Sequence, residues 1–145
     1  MLSLTSAVVY SDRMSKILEA LESSDYRFFL TGSRYFGTHR QDSDLDLFAK
    51  ASPEVSDFLR RLGFRHVGHN YGPRTDSLTE EVFRKDNVDV QLVSDLAAKL
   101  AIQYALSRVR LLERVNHQEH HEVWGAMYGA YQAGQRNLGR ELSDA

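Results

Sequence analysis

The sequence predicts an α+β fold in which helices flank a mixed sheet of about five strands. Short apolar runs of strand length alternate with longer segments whose apolar residues follow helical spacing. Two of the short runs flank a polar turn, as in a hairpin. The length of 145 residues suits a single domain. We expect a sheet-containing core over 1–93, helices over 94–138 and a disordered tail over 139–145.

The predicted helices begin at residues that can cap their N-termini. Ser11, Ser52 and Ser94 each precede a helical pattern, and a serine hydroxyl can accept from a free N–H group of the first turn. Pro53 suits a first helical position, and Glu54 complements the helix dipole. The predicted helices run over 11–23, 52–62, 94–115 and 119–136.

The predicted strands are apolar runs bounded by turn-forming residues. In the last run, 88–93, apolar and polar residues alternate, so Asp89 and Gln91 should share one face of the strand. The polar segment 85–87 links this run to the preceding one. Strands are expected over 26–31, 44–50, 64–69, 80–84 and 88–93, with a short irregular or helical piece over 34–41 and a loop over 70–76.

The composition of the chain excludes several kinds of functional site and of partner. The chain contains no cysteine, which excludes disulfides, thiolate metal sites and cysteine nucleophiles. Its net charge of −2, with basic residues spread along the chain, provides no basic arm for nucleic acid. No secretory signal is recognisable, and no apolar run approaches the ~20 residues that span a bilayer. We therefore expect a cytoplasmic protein with no membrane partner.

A Gly-Ser pair followed by two alternating carboxylates is the most informative segment. Gly32-Ser33 follows an apolar run, and glycine lets backbone N–H groups approach a phosphate closely. Asp44 and Asp46 occupy alternate positions of a predicted strand and should project together. Adjacent carboxylates repel unless a cation lies between them, and their oxygens suit Mg²⁺. The segment predicts a metal site beside a phosphate cradle.

Asp89 is the candidate third carboxylate. An aspartate in the middle of a strong strand is unfavourable unless its face serves a function. If this strand lies beside that of Asp44 and Asp46, the carboxylates could hold two Mg²⁺ ions about 3.5–4 Å apart, with Mn²⁺ as a substitute. The alternatives are that Asp44 caps a loop and that Asp89 faces solvent on an edge strand.

These residues resemble the signature of a known superfamily. The segments 31–37 (Thr-Gly-Ser-Arg-Tyr-Phe-Gly) and 43–47 (Ser-Asp-Leu-Asp-Leu) resemble the DNA polymerase beta-like nucleotidyltransferases, and more narrowly the minimal nucleotidyltransferase group. The resemblance extends over about 26–93 and implies the nucleotidyltransferase fold. It implies that the phosphate-binding positions are Gly32, Ser33 and Gly37. It also implies that the metal-binding carboxylates are Asp44, Asp46 and Asp89.

The resemblance also implies a reaction. A nucleoside monophosphate would pass from a nucleoside triphosphate, ATP in the first place, to an acceptor hydroxyl, with release of pyrophosphate. Within the group the acceptors are proteins, RNA or small molecules, and no residue here specifies one. Arg34 adjoins the Gly-Ser pair and is expected to meet phosphate charge, although a solvated connecting segment is the alternative.

Two further interpretations remain open. The chain could be a non-catalytic partner-binding protein, or a nucleotide-binding regulator, that retains the fold; the clustered carboxylates weigh against the first of these. On the last predicted helix, Gly125 and Gly129 favour close helix packing. The aromatic residues Trp124, Tyr128 and Tyr131 could instead form a homodimer face or an acceptor wall.

Overall fold

The computed structural model describes residues 11–68 and 78–144, and the predicted loop over 70–76 lies outside them. One five-stranded sheet, in the order β1-β2-β5-β4-β3, confirms the predicted fold class. In chain order the elements are α1 (Asp12–Glu22), β1 (Phe29–Thr31), α2 (Gly32–Phe36), β2 (Leu45–Lys50), α3 (Pro53–Arg61), β3 (Arg65–Gly68), β4 (Thr79–Lys85), β5 (Val88–Val93), α4 (Leu96–Val109), a 3-10 helix (Leu111–Arg114) and α5 (His117–Asp144).

The sheet is mixed because β2 and β5 run parallel at its centre, whereas the other pairs are antiparallel. The parallel register pairs Leu45 with Val88 and Asp46 with Asp89. Residues paired in this way project to the same face. The register therefore gives one face of the sheet centre apolar side chains and the other face carboxylates.

A separate apolar cluster packs on each face of the sheet. On one face, α1 and α3 cover the leucines and valines of β2 and β5, with Leu18 and Leu59 fully buried. On the other face, α4 and α5 form a smaller cluster that includes Ile102, Leu106 and Trp124. The C-terminal helices thus lie on the carboxylate face, since Lys99 of α4 stands over the ring of Phe48 on that face.

Two of the predicted N-caps are confirmed and one is wrong. Ser11 Oγ accepts from Met14 N at 3.3 Å, and Ser52 Oγ accepts from Val55 N at 3.2 Å. The cap of α4 is Asp95, whose Oδ1 accepts from Ala98 N at 3.0 Å. Ser94 Oγ instead donates to Leu78 O, so the chain entering β4 takes the hydroxyl that was expected to cap the helix.

The C-terminal helices differ from the prediction at three of their ends. The predicted helix through Val115 ends at Val109, because Arg110 adopts a left-handed conformation with φ +53°. The next helix begins at His117, where Asn116 Oδ1 accepts from Glu119 N and Glu119 Oε1 accepts from Asn116 N. This reciprocal pair is a capping box. α5 continues to Asp144, past the predicted end of the helix and through the segment expected to fray.

The small residues of α5 do not mark close packing, so that interpretation is wrong. In the described part of the chain, a Cβ added at Gly125 or Gly129 would meet nothing within 4 Å. Trp124 is buried, and Tyr128 and Tyr131 pack against the same cluster. Although α5 has 28 residues, neither it nor any other helix in the described ranges has the apolar length needed to cross a membrane.

Candidate active site

The Gly-Ser pair forms the start of α2 rather than an isolated turn. β1 ends at Thr31 and Gly32 is the first residue of α2. Gly32 has φ +68°, and a Cβ at this position would lie 2.3 Å from Asp46 Oδ2. Any side chain here would therefore displace the Asp46 carboxylate. The glycine is needed for its conformation and for this close approach.

The second glycine of the segment has a local structural function. Gly37 is the C-cap of α2, with φ +78°, and its N–H donates to Ser33 O. A left-handed residue in this position ends a helix and satisfies one of its last carbonyl groups. The need for glycine at position 37 is thus explained by its left-handed conformation at the C-terminus of α2.

The sheet brings the predicted carboxylates to one place. Asp46 of β2 and Asp89 of β5 are direct neighbours in the parallel register. Asp44 lies immediately before β2, two positions from Asp46, and comes within 3.3 Å of a guanidinium that also contacts Asp89. The strand of Asp89 therefore does lie beside the strand of Asp46, which is the condition under which the three carboxylates can converge.

Arg84 links two of these carboxylates. It lies on β4, directly opposite Asp89 in the antiparallel register. Its Nη1 donates to Asp89 Oδ1 at 2.9 Å and to Asp89 Oδ2 at 3.0 Å, and its Nη2 is 3.3 Å from Asp44 Oδ1. One guanidinium thus partly neutralises the negative charge at this edge of the site.

Asp46 is the carboxylate whose ionisation the site opposes most strongly. Burial raises the pKa of Asp46 to about 7, and the neighbouring charges of Asp89 and Asp44 add to the effect against the opposing charges of Arg84 and Lys99. Burial also raises the pKa of Asp89, although Arg84 opposes that shift. The ionised forms of these two carboxylates are therefore disfavoured mainly by burial and secondly by repulsion from neighbouring carboxylates.

Lys99 brings a second cation to the carboxylate face. Its side chain is buried, with Nζ 4.0 Å from the centroid of the Trp124 ring and 5.6 Å from that of Phe48. An ammonium group over aromatic faces is stabilised by the ring quadrupoles. The positive charge of Lys99 lowers the pKa of Asp46. Helices α4 and α5 therefore contribute to the electrostatics of the site through Lys99 and Trp124.

Arg34 holds the connection between α2 and β2. The residue is 5% exposed, and its Nη2 donates to Gln41 O at 3.3 Å and to Ser43 O at 2.9 Å. These bonds hold the chain directly before Asp44. The sequence places Arg34 beside a phosphate, whereas in the structure its guanidinium is directed to these carbonyl groups.

Sequence reasoning did not identify Arg84 and Lys99. A signal for Arg84 was present, because the two-residue turn at Asp86 and Asn87 places Arg84 directly across the hairpin from Asp89. Lys99 carried no comparable signal, since its approach to Asp46 depends on how α4 packs across the sheet.

The donor set fits a divalent metal. Asp44, Asp46 and Asp89 offer hard carboxylate oxygens, which suit Mg²⁺. A bound cation would oppose the burial and the like charges that raise the pKa of Asp46. Among the described residues, no group of three or more His, Cys, Asp or Glu side chains has the arrangement of a preassembled metal site. The guanidinium of Arg84 links Asp44 and Asp89.

The match to a protein-family model agrees with this geometry. The model describes a nucleotidyltransferase domain and matches residues 11–114, which include all five strands, α2 and α4. No curated protein and no solved structure matches the chain. The matched range contains the glycine at the start of α2 and every carboxylate described above. The chain belongs to the nucleotidyltransferase domain family.

Proposed function

We propose that this protein transfers a nucleoside monophosphate from a nucleoside triphosphate to an acceptor hydroxyl and releases pyrophosphate. The observation that carries the proposal is the register of β2 with β5, which pairs Asp46 with Asp89 on the face that also presents Asp44. Gly32 lies against the Asp46 carboxylate, so a phosphate cradle and a metal-ligand set would adjoin.

The donor nucleotide would be held at the start of α2. The backbone N–H groups of Gly32 and Ser33, with the Ser33 hydroxyl, would donate hydrogen bonds to the β- and γ-phosphates. Gly37 would keep α2 short, and Arg34 would act as a positioning residue by holding the segment before Asp44. We infer that ATP is the donor, and it is the first nucleotide to test.

The carboxylates would bind divalent metal and position the acceptor. Asp44 and Asp46 would hold the ions, and Asp89 would complete the ligand set and accept the proton of the acceptor hydroxyl. Bound Mg²⁺, or Mn²⁺ in its place, supplies neutralisation of phosphate charge and activation of the attacking oxygen. The acceptor oxygen forms a bond to the α-phosphorus as the bond from that phosphorus to the bridging oxygen breaks, and pyrophosphate leaves with the electron pair.

The first prediction tests this assignment with Asp46→Asn. The variant keeps the shape of the side chain and removes its charge, so transfer should fall by at least about 10³-fold while the fold is retained. Transfer is measured with α-labelled triphosphates, Mg²⁺ and a cell lysate as the source of acceptors, and retention of the fold by circular dichroism.

Asp42→Asn is the matched control. Asp42 is exposed and lies close in sequence to the same carboxylates, yet we give it no part in the site. Its variant should transfer label like the wild type. Near wild-type turnover by Asp46→Asn would overturn the assignment. Mg²⁺-dependent nucleotide binding without any transfer in the wild type would identify a nucleotide-binding regulator instead.

A further inference from the structure

Arg84 is bonded to the oxygens that the proposed function assigns to metal. Its Nη1 contacts both oxygens of Asp89, at 2.9 and 3.0 Å, and its Nη2 approaches Asp44 Oδ1 at 3.3 Å. A carboxylate has a limited number of lone-pair directions, and a guanidinium occupies several of them at once. The ion pair therefore uses part of the ligand set that a divalent ion would need.

The hairpin between β4 and β5 holds this ion pair in place. Arg84 and Asp89 are directly paired in the antiparallel register. Opposed side chains in such strands have Cβ atoms about 4.5–5.5 Å apart. The turn begins at Asp86, whose φ of +52° fits the left-handed conformation of a tight hairpin. The approach of the guanidinium to Asp89 is therefore a property of the fold.

Metal and guanidinium would compete for these oxygens. Mg²⁺ binds oxygen at about 2.0–2.1 Å and needs near-octahedral geometry. A guanidinium at hydrogen-bond distance from the same oxygens would repel the ion at close range. Binding of metal to Asp44 and Asp89 is therefore more favourable when Arg84 gives up its present contacts.

The exposure of the groups shows which of them would move. The side chain of Arg84 is 34% exposed and that of Asp44 is 45% exposed, whereas that of Asp89 is 13% exposed. A long side chain with an open route to water can move its charged end into solvent at little cost. Asp89 is enclosed by the sheet, so within the Arg84–Asp89 pair the guanidinium is the partner that leaves.

We propose that Arg84 competes with the divalent metal: it pairs Asp44 with Asp89 in the metal-free protein and withdraws when the ion binds. The inference rests on the proposed function, because it takes these carboxylates as metal ligands. Arg84 is then a positioning residue. It prevents repulsion between the empty ligands and lowers their affinity for free metal.

The second prediction tests this competition by titration with Mn²⁺ alone. Arg84→Gln removes the competing charge, so Mn²⁺ should bind about fivefold tighter than to the wild type, as measured by calorimetry. Arg84→Lys retains a single point charge that cannot bridge both carboxylates, and its affinity should lie between the two. Arg61→Gln makes the same charge change on α3, on the other face of the sheet, and should bind like the wild type.

A second measurement follows Arg84 in the wild-type protein. The side-chain N–H resonance that Arg84→Gln lacks should shift on saturation with Mg²⁺, since its hydrogen bonds to carboxylate are lost. A resonance that stays in place at saturation would overturn the proposal, and Arg84→Lys would supply the assignment if Arg84→Gln failed to fold.

The outcomes separate this inference from the proposed function. Equal or weaker Mn²⁺ binding by Arg84→Gln, with clear binding by the wild type, would show that Arg84 supports the ligands rather than competing for them. Absence of Mn²⁺ binding in every variant would remove both the competition and the metal site on which the proposed function depends.

Discussion

The two faces of β2 and β5 are formed by alternate residues of the same strands, yet the side chains on the two faces differ in chemistry. On one face Leu45, Leu47 and Val90 are fully buried against α1 and α3. On the other face Asp46 and Asp89 lie side by side. Neighbouring positions thus differ completely in environment because side chains of a strand alternate between faces.

The comparison shows how the sheet combines stability with chemistry. The apolar face stabilises the fold by removing hydrocarbon from water. On the polar face the ionised form of Asp46 opposes folding, because burial and the like charges of Asp89 and Asp44 raise its pKa to about 7. Destabilised, partly buried carboxylates are typical of functional sites. The apolar face provides the rigidity that holds these charges close to one another.

The largest effect on stability is expected from the apolar face. Leu47→Ala should lower the free energy of unfolding by about 3 kcal/mol, because it removes a fully buried side chain and leaves a cavity. Chemical denaturation measures the change. Leu138→Ala, at a position that is 49% exposed, is the control and should change stability by less than about 0.5 kcal/mol. Equal effects of the two variants would contradict this account of the core.

The next effect concerns the polar face and depends on pH. The pKa of Asp46 is raised from 3.8 to about 7 in the folded protein, so the folded state binds the proton more tightly than the unfolded state. The resulting stability is present below the unfolded pKa and is lost as the pH rises through the folded value.

Comparison of wild type and Asp46→Asn isolates this contribution. Between about pH 4 and about pH 8, in the presence of a chelator, the wild type should lose on the order of 2 kcal/mol more stability than the variant. Denaturant titrations at both pH values measure the difference, and groups that do not interact with Asp46 cancel. Parallel pH profiles would show that Asp46 ionises normally in the folded protein.

The smallest expected effect on stability is the difference between substitutions at Gly32, the first residue of α2, and at Gly37, its C-cap. Gly32→Ala and Gly37→Ala both place a side chain at positive φ, but only the first meets Asp46 Oδ2, at 2.3 Å. Gly32→Ala should therefore cost about 1 kcal/mol more in unfolding free energy than Gly37→Ala. It should also reduce transfer more strongly, since it displaces a proposed ligand. Equal loss of stability and transfer in both variants would show that the close approach to Asp46 is unimportant.

Local patterns were sufficient where the decisive interactions are local. The alternation in 88–93 predicted β5 and the face of Asp89, and the Ser-Pro-Glu start predicted α3 with its cap at Ser52. The same reasoning failed at Ser94, because two adjacent residues could cap α4. The packing of β4 decided between them when Ser94 bonded to Leu78 O and left Asp95 as the cap.

By itself the sequence determined the fold class, the alternation of apolar and acidic positions, and the order of the Gly-Ser pair and the aspartates, because these depend on spacing along the chain. The tertiary structure decided the pairing of β2 with β5, which joins segments separated by α3, β3 and β4. It also decided the burial of Arg34 and the approaches of Arg84 and Lys99. These depend on distances across the sheet, and such distances are set only when the whole chain is packed.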